Sequence, residues 1–177
     1  VDIKPNSIKS LFDLPASTMG LIDKFKVPII LKYGTWNTQF KVMRSTTGLF
    51  FYNHHSYDCQ IELCARQIEE LSAEYGMNAI NAIFLHEVGH WFDCKTRPEY
   101  FIRAVLGSYK YDNKIRHDLE KQANIYACKL AVKYGIELDD SFMNLLRHGL
   151  ISHRMSDIET DTFLIHATKN ATMQEAA

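Results

Sequence analysis

Two histidines four residues apart, with a glutamate beside the first, form the most chemically pointed segment of this chain: His86-Glu87-Val88-Gly89-His90. On a helix of 3.6 residues per turn, positions i and i+4 share a face, so the two imidazoles can reach one ion. Imidazole nitrogen is a preferred ligand of zinc and related divalent metals. A carboxylate next to such a pair can accept a proton from water acidified by the metal. The chemistry these residue types suggest is hydrolysis, and it needs a third ligand and one open coordination position. Structural zinc sites are instead closed by four ligands, mostly Cys and His, so a spare glutamate favours catalysis.

Asp93 lies on the same face but one turn beyond His90. At 1.5 Å per residue it sits roughly 10 Å along the axis from His86, too far to share a small ion. The third ligand is therefore expected from another segment. Glu120 is the favoured candidate and His117, three residues earlier, the rival. Asn124 follows Glu120 at i+4 and could accept a hydrogen bond from the outer nitrogen of a ligand histidine, which fixes the ring's tautomer. Ala123 and Ala127 are small and would let this helix come close to the histidine helix. His148, His153 and Tyr126 are unranked candidates for stabilising an oxyanion. His54, His55, Cys59 and Cys64 form a second cluster of metal-binding types, with a spacing that matches no common zinc pattern. The competing reading of His86, Glu87 and His90, as core polar groups satisfied by neighbours, would suit a single histidine better than a metal-spaced pair.

These residues must be positioned by surrounding elements. The first 27 residues read as a helical segment broken at Pro15, and 28–54 as a sheet. Within it, 28–33, 39–44 and 48–53 read as strands joined by short turns, which predicts a small three-stranded antiparallel sheet. Residues 58–134 read as the metal-site helices. Ile61, Cys64, Ile68, Leu71 and Tyr75 form a stripe at three- and four-residue steps, with Asp58 as N-cap and Gly76 as stop. Asn78 opens the next helix, which runs through the histidine motif to about Cys94 and is apolar nearly all round, so it belongs at the domain centre. Residues 95–112 read as loop with some helix, and Lys114 to Tyr134 as a long helix ending at Gly135. Residues 135–177 read as C-terminal helices. One is capped by Asp139 or Asp140 and ends at Gly149; one opens at the capping box Ser156-Asp-Ile-Glu159; the residues after 168 are expected to fray. The expectation is a single α+β domain over 1–177, a small sheet packed on a mainly helical body.

Length and composition agree with one domain: 177 residues, 46% hydrophobic and 23% charged. A net charge of −1 argues against direct nucleic-acid binding, which calls for a basic stripe. No apolar run is long enough for a membrane span, and the first residues lack the apolar core of a secretory signal. Cys59, Cys64, Cys94 and Cys128 form no Cys-x-x-Cys pair and read as reduced core residues, which predicts a cytoplasmic protein.

With His86-Glu87-Val88-Gly89-His90 followed by Glu120-x-x-Ala123-Asn124-x-x-Ala127, the chain resembles the ImmA/IrrE family of small gluzincin metallopeptidases over roughly residues 28–134. The resemblance implies a zincin-like fold around the central HExxH helix and one zinc ion on His86, His90 and Glu120. It implies Glu87 as general base in a zinc-dependent endopeptidase. The substrate would be a protein or peptide, in many family members a transcriptional repressor. Gln122 stands where the family often has a second acidic residue, and no proline follows the Glu120 helix. Two alternatives stand beside this reading: a non-catalytic binding or metal-sensing protein on the same fold, and an SprT-type protease, which uses histidine as third ligand and often carries a basic surface.

Overall fold

The structure, a computed structural model, describes residues 13–26, 28–32, 48–53, 58–98 and 113–175. Its elements in chain order are α1 (Ala16–Phe25), β1 (Ile29–Lys32), β2 (Gly48–Asn53), β3 (Asp58–Cys64), α2 (Ala65–Tyr75), α3 (Asn78–Thr96), α4 (Asn113–Lys133), α5 (Asp140–Ser152) and α6 (Asp157–Glu175). Most of the described residues are helical.

The expectation of a three-stranded antiparallel sheet is overturned. The strand order is β1-β3-β2; β1 runs parallel to β3, with Ile29 opposite Ile61, and only β2 is antiparallel to it. The predicted strand at 39–44 lies outside the described residues. The central strand is instead 58–64, which the helical stripe had absorbed. Ile61 and Leu63 are completely buried and Glu62 is 4% exposed, so both faces of β3 are covered. A strand covered on both faces loses the polar side that would advertise it. The helix begins only at Ala65, with Cys64 at its N-cap, and Asp58, the expected cap, instead opens β3.

The long apolar helix behaves as its composition demands. Ile80, Phe84, Leu85 and Val88 of α3 are buried to 1% exposure or less. The helix packs against α1, α2, α4, α5 and the β2–β3 part of the sheet. Burial of each such side chain contributes roughly 1.5–3 kcal/mol. Asn81, a buried polar residue early in this helix, is satisfied by α1: Thr18 Oγ1–H donates to its Oδ1 at 2.6 Å, and its Nδ2–H donates to Ser17 Oγ at 3.0 Å.

Helix α4 ends at Lys133, and Gly135 takes a left-handed φ of +69° just beyond it, the conformation that favours glycine after a helix. Asp139 caps α5 by accepting from Phe142 N–H at 2.9 Å. Helix α5 runs to Ser152, past the stop expected at Gly149. Helix α6 is helical through Glu175, so the fraying expected after residue 168 is not observed.

Candidate metal centre

Helices α3 and α4 approach each other as closely as backbones allow. A Cβ built on Gly89 would lie 2.4 Å from the carbonyl oxygen of Ala123 and 2.9 Å from its Cα. Glycine at 89 and alanine at 123 are therefore the reason that groups on the two helices can share one site. A second clamp ties the helices further along. Arg97 grips Asp93, which is 1% exposed, at 2.6 and 2.8 Å, and reaches Asp118 of α4 at 3.0 Å. Asp93 is thus an anchor for α3 and no ligand.

Beside the close approach of the two helices, His86 Nε2, His90 Nε2 and Glu120 Oε2 converge. Their separations are 3.1 Å between the two nitrogens, 3.2 Å from His86 to Glu120 and 3.7 Å from His90 to Glu120. Among the described residues, these three form the one group of His, Cys, Asp and Glu side chains able to hold a metal ion. The fit is quantitative. Three ligands about 2.0–2.1 Å from a tetrahedral ion stand about 3.3 Å from one another. Two imidazoles and one carboxylate oxygen are also the donor set of a zinc-class metal, since calcium and magnesium prefer oxygen alone.

The surroundings fix these ligands. His86 Nδ1–H donates to Asn124 Oδ1 at 2.7 Å, which leaves Nε2 facing the site as the atom that offers a lone pair once it loses its proton. Asn124 is 1% exposed, so the orientation is set by packing as well. Glu120 turns Oε2 to the two imidazoles and Oε1 toward His153, whose Nε2 is 3.6 Å away. An Asn124→Ala protein is expected to keep its fold and lose about 10–100-fold in zinc affinity, measured by competition with a chromogenic chelator; unchanged affinity would refute the role of Asn124.

Electrostatics prepare the site for a cation. Burial opposes a charged His86, but hydrogen bonding to Glu120, the charges of Glu120 and Glu87, and the Asn124 contact raise its pKa to about 9. Burial likewise opposes the Glu120 carboxylate, yet the two imidazoles hold it well below the usual carboxylate range. In the metal-free protein His86 is therefore protonated at neutral pH. This raised pKa stabilises the metal-free fold fully below pH 6.5, and the contribution fades as pH rises through about 9. An incoming metal must displace that proton. Metal affinity is expected to gain about tenfold per pH unit between pH 6.5 and 9, with release of about one proton at neutral pH. Calorimetry in buffers of different ionisation enthalpy counts the proton; a pH-independent affinity without proton release would contradict this.

Glu87 is 6% exposed and close enough to His86 to favour its charged form. His117, the rival ligand, is used elsewhere: its Nε2–H donates to the His153 carbonyl at 2.6 Å. Of the three oxyanion candidates, only His153 is brought to the triad. His148 meets the Tyr75 hydroxyl at 3.1 Å, and the Tyr126 ring stacks on Phe92 with its hydroxyl 3.5 Å from Thr96. His54 and His55 lie outside the described residues, as does the Cys59 side chain, while Cys64, like Cys94 and Cys128, is buried. The sequence reading missed the Arg97–Asp118 link. Its local half, Asp93 and Arg97 at i and i+4, is a visible helix ion-pair spacing; the partner on α4 carries no local signal.

No protein-family model matches the chain, and neither a characterised protein nor a solved structure matches it significantly. Among the described residues, no helix is long and apolar enough to cross a membrane.

Proposed function

We propose that this protein is a zinc-dependent peptidase that hydrolyses a protein or peptide substrate. The observation carrying the proposal is the convergence of His86, His90 and Glu120 at zinc-ligand separations, with Glu87 on the same helix as the histidines. His86, His90 and Glu120 would hold the ion. A bound zinc ion supplies Lewis acidity, acidifying water and polarising a carbonyl. Glu87 accepts the proton as water adds to the scissile carbonyl. It returns that proton to the amine as the C–N bond breaks, so one water is consumed per bond. Asn124 keeps His86 in the ligating tautomer. His153 is our candidate donor to the developing oxyanion, supported by its 3.6 Å approach to Glu120 and its partial exposure of 33%.

The resemblance of the two motifs to the ImmA/IrrE metallopeptidases supports the same reading and suggests a regulatory protease that cleaves a repressor. The SprT-type alternative is disfavoured because His117 is committed to a backbone carbonyl. The test is cleavage in ¹⁸O-labelled water. Zinc-loaded protein incubated with a denatured protein mixture should generate new C-termini carrying ¹⁸O, absent after chelation. Folded, fully zinc-loaded protein that cleaves nothing across a broad peptide library would count decisively against peptidase function.

A further inference from the structure

The outer face of α6 carries an apolar stripe. Ile158 is 82% exposed, Ile165 68% and Met173 60%, while Leu164, Ala167 and Ala171 on the opposite side are buried. At about 100° per residue the three exposed side chains fall within roughly 80° of one another, with Thr162 and Lys169 between them. A helix with one face in the core and an apolar stripe facing water has a surface fit for another helix.

The pattern points to its occupant. Ile158 lies seven positions before Ile165 and Met173 eight after it, so the stripe is nearly palindromic about Ile165. Its charges are not symmetric: Asp157, Glu159 and Asp161 crowd the first turns, and no acidic residue occurs from 162 to 174, where Lys169 sits. A parallel copy would set acid against acid. An antiparallel copy sets the acidic end of each helix beside Lys169 of the other and opposes the helix dipoles. Asp161 already pairs with Arg147 at 2.7 Å but is 52% exposed, and a carboxylate has room for a second donor. Lys169 makes no ion pair among the described residues. From this we infer that α6 is a self-association surface, on which a second copy of the chain docks antiparallel across a two-fold axis at Ile165. Three apolar side chains per copy make a small interface, of the size class of weak, transient contacts. The inference is independent of the metal centre.

The test is sedimentation velocity from roughly 1 to 300 µM, concentrations chosen to bracket a weak interface. The wild-type mass should rise with concentration from 20.5 kDa toward twice that value. Ile165→Lys and Ile165→Glu should each remain monomeric, with unchanged helical circular dichroism and zinc content, because like charges meet at the axis. Mixed in equal amounts, the two variants should recover the dimer. Wild-type protein that stays monomeric throughout overturns the inference. So do charge variants that dimerise as well as wild type, or a mixture that fails to associate.

Discussion

A Glu87→Gln protein is expected to bind one zinc ion as wild type does and to lose about 10²–10⁴-fold in peptide hydrolysis, the usual contribution of a general base. The substitution is nearly isosteric and the site is tightly packed, so the fold should hold. The carboxylate also helps keep a proton on His86, so its removal slightly eases metal entry. Zinc content and hydrolysis therefore separate. A parallel measurement of zinc stoichiometry and of ¹⁸O-labelled product checks this. Undiminished hydrolysis with full zinc content would remove Glu87 from the mechanism.

Gly89→Ala is expected to destabilise the protein, against the ordinary trend. In an exposed helix interior this change gains about 1 kcal/mol. Here the new methyl meets the Ala123 backbone at 2.4 Å, and backbone cannot rotate out of the way as a flexible side chain can. Helix α4 must move outward, at a cost of about 1–3 kcal/mol, which lowers the melting temperature by several degrees. Because Glu120 and Asn124 ride on α4, the same shift pulls the candidate ligand and its support away from His86 and His90. Ligand distances are tolerant to only about 0.2 Å, so zinc affinity should fall at least tenfold. A variant that melts higher than wild type and binds zinc equally well would show that the close approach of α3 and α4 is not what assembles the site.

The candidate metal site is far more legible in the sequence than the sheet, for a physical reason. His86 and His90 declare themselves because helix periodicity alone puts them on one face, and Glu120 with Asn124 repeats the same i, i+4 logic thirty residues on. The small residues that permit the approach, Gly89 and Ala123, also stand in plain view. Strand β3 was hidden because Ile61 and Cys64 fit a helical step as well as Ile61 and Leu63 fit an alternating one. Its parallel pairing with β1 depends on contacts between distant segments. His153 could not be told from His148 or Tyr126 for the same reason. Its place beside Glu120 is set by the end of α5 and by the His117 tether, a tertiary contact with no local spacing.

One metal ion is expected to be held jointly by two imidazoles of α3 and a carboxylate of α4. Elemental analysis of zinc-loaded, dialysed protein tests it most directly, with Glu120→Ala and His90→Ala measured beside wild type. Wild type should hold about one zinc per chain and either variant almost none. Wild type without zinc, or a Glu120→Ala protein with undiminished zinc, would contradict it.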